Sequence, residues 1–476
     1  MTTRRDFLQT LGAGAVLASP FGALACRPGT RVGSPNPTNA KGWDLVPQIL
    51  ARIVAPTFPN RDFDITHYGA RGDAAFDNTT AIRQAIAACT AAGGGRVVVP
   101  AGRFLTGPVH LENNVNLHVS RGATLLFTRD TKAYLPAVLT RFEGTELMNY
   151  SPLIYAFDKQ NIAVSGEGTL DGQADKTYWW PWKGSADYGW VRGTPNYNVS
   201  RPRLLDMAER GVPVAQRVFG EGDYLRPSFI QPYRCRNVLI EGVTIINSPM
   251  WEVHPVLSQN VTVRGLTINS HGPNNDGCDP ESCRDVLIER CIFDTGDDCI
   301  AIKSGRNADG RRVNVPSENI IVRNCEMRDG HGGVTIGSEI SGGCWNVFAY
   351  DCRMDSPQLD RALRFKNNAM RGGLIEHVYM RDVQVGQVAD SVLSVDFTYE
   401  EGDKGPFTSI ARDIEMLRVT SKKSPYGVVL RGFPNAPVEN VRVIDCRFEN
   451  VAKGNIVENV KDISFDRTTI NGERVK

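Results

Sequence analysis

The chain predicts an all-β, right-handed parallel β-helix (solenoid) with an N-terminal capping helix, and three observations carry that expectation. A short segment recurs with aliphatic or similar residues at its first, third, sixth and eighth positions. Successive copies start 22 to 36 residues apart, the length of one solenoid coil plus loops of variable size. Apolar and polar positions alternate within each copy, which is the period of a strand rather than a helix. The copies run Val238, Ile240, Val243, Ile245; Val261, Val263, Leu266, Ile268; Val286, Ile288, Cys291, Phe293; Ile320, Val322, Cys325, Met327; and Val347, Ala349, Cys352, Met354. Weaker copies start at Val378, Ile414, Val441 and Ile463. The sixth positions form a column of small or medium apolar residues, as a stack requires, because each coil buries its apolar face only against its neighbours. A β-propeller would need four strands in each repeat of about 40 to 50 residues, and a leucine-rich repeat its Leu/Asn consensus. Neither pattern is present.

Along the chain, Arg4 and Arg5 precede an apolar, Gly/Ala-rich run from Leu11 to Ala25, so residues 1–26 read as a twin-arginine export signal. Gly12, Gly14, Pro20 and Gly22 weaken the alternative, a helix of the mature fold. Ala23, Leu24, Ala25 and Cys26 serve equally as a cleavage site or an imperfect lipoprotein signal. A periplasmic or secreted protein is therefore expected, with lipid anchoring at Cys26 left open. Residues 27–60 read as a linker or N-terminal extension. No later apolar run reaches about 18 residues, so no mature membrane span is expected. Residues 61–476 read as a single domain despite a length that would ordinarily suggest two or three. A formal net charge of +1 over 476 residues excludes the strongly basic class that binds nucleic acid. Oligomeric state is left open.

Asp77 to Ala92 shows helical periodicity through Ala81, Ile82, Ala85, Ile86 and Cys89. Asp77 or Thr79 is suited to cap its start, and Gly93 to Gly95 to end it. This helix is expected to cover the open end of the stack, where a bare sheet edge would invite aggregation. Residues 173–233 interrupt the repeat with Tyr178, Trp179, Trp180, Trp182, Tyr188, Trp190 and Tyr197. Bunched aromatics either stack on a ligand or pin a long loop, and pinning is the commoner use. Of the eleven cysteines, four occupy the inward column and read as reduced core residues. Cys235, Cys278, Cys283, Cys299 and Cys344 lie nearer turns, where pairing is open. No CxxC occurs, so no metal is expected on cysteine.

The chemistry is expected in the turns. Asp276, Asp297 and Asp298 follow successive copies, and His331 occupies the matching turn of the next. A parallel stack advances about 4.8 Å per strand, which places such carboxylates roughly 5 to 10 Å apart. That range includes the spacing of glycosidase carboxyl pairs. Mutual repulsion would raise the pKa of at least one acid and keep a proton available near neutral pH. Asp297 and Asp298 are adjacent and would face opposite ways in a strand, so a bend at Gly296 is expected. Arg364 and Lys366 alternate across Phe365 and share one side, and Lys303 is a candidate to join them. Gly305, Asp309 and Gly310 read as an ordinary turn. His67, His110, His118, His254, His271 and His377 read as structural, with His254 and His271 the ones expected to flank a cleft.

Four motifs in order carry a resemblance covering about Phe63 to Gly472. Asn274-Asn275-Asp276 resembles the Asn-Thr-Asp of the polygalacturonase family of pectin-degrading glycoside hydrolases, family 28. Gly296-Asp297-Asp298, Gly330-His331-Gly332 and Arg364-Phe365-Lys366 resemble its Gly-Asp-Asp, Gly-His-Gly and Arg-Ile-Lys. Asn275 and Phe365 depart from the pattern at positions that do not ionise. The resemblance implies a hydrolase of α-galacturonosidic bonds in polygalacturonate or its oligosaccharides, with no cofactor and no metal. It implies Asp297 as general acid and Asp276 and Asp298 as the pair that activates water, giving inversion. His331 would bond the acid or the sugar. Asn274, Lys303, Arg364, Lys366 and Tyr399 would bind substrate, the two RFK cations recognising its carboxylates. The 173–233 loop and the run Ser304 to Val315 would block one end of the cleft and make action exo. A rhamnogalacturonan backbone or side-chain hydrolase is the nearest alternative, and a pectate lyase or a non-catalytic carbohydrate-binding β-helix are further ones.

Overall fold

The structure, a computed structural model, describes residues 41–475. Residues 1–26, where an export signal is expected, and Cys26 with them lie outside the described residues. The repeat stacks in register. Ile162, Val238, Val261, Val286, Ile320, Val347, Val378, Ile414, Val441 and Ile463 pair one above the next in a 13-stranded parallel sheet. A 14-stranded sheet carries the eighth positions. The third face joins strands Val109–His110, Ile154–Phe157 and Ile230–Tyr233 to a six-stranded sheet through single bridges at Val253 and Cys278. A parallel β-helix with right-handed crossovers results.

A local device sets each corner. The residue before the first position of each copy has a left-handed backbone, including Asn237, Asn260, Asn319 and Asn346 with φ of 55 to 59°. Asparagine tolerates that region better than other side chains with a Cβ. Stacking also lets one amide satisfy the next: Asn237 donates to Asn161 at 2.8 Å, Asn260 to Asn237 at 2.7 Å and Asn346 to Asn319 at 3.0 Å.

Coils also begin before the repeat becomes visible in the sequence. Strands Asp62–Asp64, Gly95–Val99 and Val115–Val119 already belong to the first sheet. Helix Thr79–Ala91 buries Ala81, Ile82, Ala85, Ile86 and Cys89 in the same core as Ile65 and Val97. Asp77 accepts the Thr79 backbone N–H at 2.9 Å.

Within residues 27–60, Gly42–Leu45 and Val46–Arg52 are helical and pack Val46 and Ile49 against Leu287, Ile321, Phe348 and Tyr379, as an N-terminal extension. The sequence leaves pairing of the turn cysteines open, and all ten described cysteines are free and buried. Two expectations need correction. Asp309 is no solvated turn residue. It is buried in helix Asn307–Val313 and bonds Arg217 at 2.8 Å and Arg312 at 2.9 Å. His254 does not border the cleft; it is wholly buried, 2.8 Å from Glu281 and edge-on to Trp251.

The long insertion is anchored as its aromatics suggest. Trp179 is 2% exposed and packs edge-on against Tyr134, Tyr150 and Trp182. A second small core gathers Phe142 and Leu147 of the hairpin Val138–Asn149, Leu204 of helix Ser200–Glu209, Phe219, Leu225 and Trp251. Burying each such side chain contributes roughly 1.5 to 3 kcal/mol, so the insertion is a fixed part of the molecule.

Candidate active site

The three acidic turns converge as the repeat requires. Carboxylate oxygens of Asp276, Asp297 and Asp298 lie within 4.8 Å of one another. The bend at Gly296 turns the adjacent acids toward different partners. Asp297 accepts a hydrogen bond from His331 Nδ1 at 2.9 Å. Asp298 is fully buried and bonds Lys366 Nζ at 2.6 Å, Arg364 at 3.2 Å and Thr335 Oγ1 at 2.8 Å. Phe365 points into the core, leaving both cations on the site side. The glycines around His331 are required by space. At Gly332 a Cβ would sit 2.3 Å from Thr335 Oγ1 and 2.9 Å from Asp298 Oδ1, and at Gly330, whose φ is +141°, 2.5 Å from the Asp297 carbonyl.

Lys303 is not a surface residue closing a coil. It is 2% exposed, with Nζ 3.5 Å from Asp276, 3.7 Å from Asp279 and 3.4 Å from Glu339, and 4.5 Å from the Trp251 ring centre. Asn274 accepts from Lys183 at 3.1 Å and Arg226 at 2.8 Å. Tyr399 closes the other side, its ring 5.8 Å from Arg364 and 5.5 Å from Lys366. The two departures from the motif lie outside the pocket lining. Asn275 is wholly buried and clips Ser270, Gly272, Ser248 and Met250 together, while Phe365 fills core.

Electrostatics divide the acids. Burial, reinforced by the charges of Asp297 and Asp298, pushes the Asp276 carboxyl up to about 8. Burial also opposes ionisation of Asp298, but the charges of Lys366 and Arg364 win and hold it well below the usual range. Asp297 is likewise held low against burial by its His331 bond, and the same bond lifts His331 to about 9. One proton therefore resides among the three carboxyls and another on the imidazole near neutral pH. Three carboxylates are chemically able to hold a divalent cation, but here Lys303, Arg364, Lys366 and His331 already surround them with positive charge.

The pocket encloses about 250 Å³ and is lined also by Glu143, Lys183, Arg201, Trp251, Arg306 and Glu400. Sequence reasoning found the acids, His331 and the RFK cations because the repeat places them. It missed Asp279 and Glu339, whose only signal was their position in matching turns. Lys183, Arg201 and Glu143 come from segments outside the repeat and gave no signal. His271, expected at the cleft, does not line this pocket and bonds Asp294 at 3.0 Å.

Residues 220–470 match the sequence profile of Glycosyl hydrolases family 28. The chain belongs to this family. Among relatives of this family 28 chain, "Probable polygalacturonase" of Vitis vinifera is 29% identical over 67% of this chain and 59% of its own length. "Exo-poly-alpha-D-galacturonosidase" of Dickeya chrysanthemi is 30% identical over 71% of this chain and 58% of its own. The family 28 chain thus spans about three fifths of these two relatives. A crystal structure of a hyperthermoactive exopolygalacturonase from Thermotoga maritima superposes with a TM-score of 0.88 at 46% identity, covering 90% of this chain and 96% of that one.

Proposed function

We propose that this family 28 chain hydrolyses α-galacturonosidic bonds of polygalacturonate or its oligosaccharides and acts on chain ends. The observation that carries the exo reading is a chain of ion pairs walling the pocket. Arg201 bonds Glu143 at 2.6 Å, Arg306 reaches Glu143 at 3.6 Å and Glu400 at 3.3 Å, and Arg371 bonds Glu400 at 2.5 Å. Four segments remote in sequence are bolted together this way, so the acids lie in a pocket rather than an open groove. Similarity to the Dickeya and Thermotoga exo-acting proteins supports the same reading.

In this reading Asp297, hydrogen-bonded by His331, protonates the leaving oxygen, and Asp276 and Asp298 orient and activate the water. The single proton of the carboxyl group has to move from Asp276 to Asp297, a short step between oxygens within 4.8 Å. The transfer leaves Asp276 basic and Asp297 acidic at unchanged total charge. That separation is shorter than the roughly 6.5 to 9.5 Å general for inverting enzymes and nearer the roughly 5 to 5.5 Å of retaining ones. We assign inversion nonetheless, because Asp276, Asp297 and Asp298 stand in motifs resembling those of a family in which these acids give inversion. Proton NMR of the first-formed sugar decides it: a β-anomer is expected, and an α-anomer would establish retention.

Without added calcium, polygalacturonate should yield monomer or dimer from the start while the polymer stays long. Random shortening would contradict the pocket reading, no release would direct attention to rhamnogalacturonan fragments, and an unsaturated product would indicate a lyase. Activity should fall as pH rises through about 8 and the Asp276 proton is lost, seen in the alkaline limb of a pH–rate profile. Export through residues 1–26 is part of this proposal and rests on Arg4, Arg5 and the apolar run behind them.

A further inference from the structure

Six lysine and arginine side chains line the pocket, beside the His331 imidazole. Five stand within ion-pair distance of carboxylates: Arg201 of Glu143, Arg306 of Glu339 and Glu400, Lys303 of Asp276 and Glu339, and Arg364 and Lys366 of Asp298. Lys183 differs. Among the described residues no carboxylate forms an ion pair with it. Its direct contacts are the Asn274 Oδ1 at 3.1 Å and the Tyr197 ring at 5.3 Å, with the Glu143 carboxylate in the same pocket beyond ion-pair distance. The ammonium is also held in place, because it ends the turn Trp180–Lys183, whose flanking Trp179 and Trp182 pack on Tyr150.

Asn274 completes the arrangement. Its Oδ1 accepts from two cationic donors, Lys183 and Arg226, and only an oxygen can do so. The amide orientation is therefore fixed, and its NH₂ has no acceptor among the described residues. A fixed ammonium beside an unused amide donor is a receptor for a carboxylate, since charge-assisted hydrogen bonds of this kind are the strong ones.

Resting on the functional reading above, we propose that Lys183 and the Asn274 NH₂ together receive the C6 carboxylate of the sugar lodged in the pocket. Lys183 is thereby a specificity-determining residue that selects free uronate over its methyl ester. Arg364 and Lys366 each already direct a donor at Asp298. The long insertion then supplies substrate recognition as well as a wall.

The test compares kcat/KM on trigalacturonate and on its trimethyl ester for the wild type, Lys183→Met and Lys183→Arg. Lys183→Met should shrink the acid-over-ester preference by about 10- to 100-fold, the scale of one lost charged hydrogen bond, through the acid substrate. Lys183→Arg should recover most of that preference. A merely structural lysine would lower both substrates together and leave their ratio unchanged, and an unchanged ratio would overturn the inference. A wild type inert on both trimers would overturn the functional reading itself.

Discussion

Asp297→Asn is expected to lower kcat by about 10²- to 10⁴-fold, the usual range for removing a general acid, with KM and folding nearly unchanged. The amide keeps the shape of the carboxyl and a partner for His331 but cannot release a proton to the leaving oxygen. The same variant has a readout independent of turnover. His331 is held up at about 9 by the Asp297 hydrogen bond and charge, so its NMR titration should fall toward the ordinary value near 6.5. A folded state that binds the imidazole proton more tightly than the unfolded chain gains stability below about 6.5 and loses it as pH rises through about 9. The variant should therefore lose a little acid-side stability and none above pH 9. His331 is half-exposed, which keeps that effect small. Normal turnover in Asp297→Asn would remove Asp297 from the acid role.

Asp276→Asn is expected to act in two opposite directions, abolishing turnover while stabilising the fold. Asp276 is 2% exposed, and its Oδ1 has no hydrogen-bond partner within the protein. Its carboxyl stands at about 8 in the folded state, against an unfolded value near 3.9. The folded state thus binds more protons between those values, and stability falls as pH rises across that window. Full protonation at pH 7 would cost about 4 kcal/mol. Sharing of the proton with Asp297 reduces this, so a gain on the order of 2 kcal/mol is expected for the variant, with a flatter stability curve from pH 4 to 8. Calorimetry across that range checks it. A variant less stable than wild type at pH 7 would show that Lys303 depends on the Asp276 charge more than on Asp279 and Glu339. Such a trade of stability for a strained acid is common where activity needs it.

Much of the site was legible because the fold is periodic. Once Val261, Val286 and Ile320 are seen as the same position of successive coils, the turns that follow them must stack. Asp276, Asp297, Asp298 and His331 then meet without any further information. The apolar column also announced the core, and alternation across Phe365 placed Arg364 and Lys366 on one side. Asp279 belonged to the same logic and was passed over, because one more acid in a turn looks solvated until burial is known. The insertion was read correctly as anchored by its aromatics, yet nothing in its sequence pointed to Lys183 or Arg201.

The sequence by itself determined the coil, its register and the acidic turns, since these follow from short-range alternation repeated at near-constant spacing. Tertiary structure alone decided which charges face which. Lys303 became a buried hub and not a surface lysine, Asp298 became fully neutralised, and Lys183 stayed without an anionic partner. The physical reason is that a charge's state depends on burial and on neighbours within a few ångströms, and those neighbours come from adjacent coils and, at the pocket wall, from the hairpin Val138–Asn149, the 173–233 segment and the turn at Glu400. Their approach is set by packing and ion pairing between segments remote in sequence, to which no local periodicity gives access.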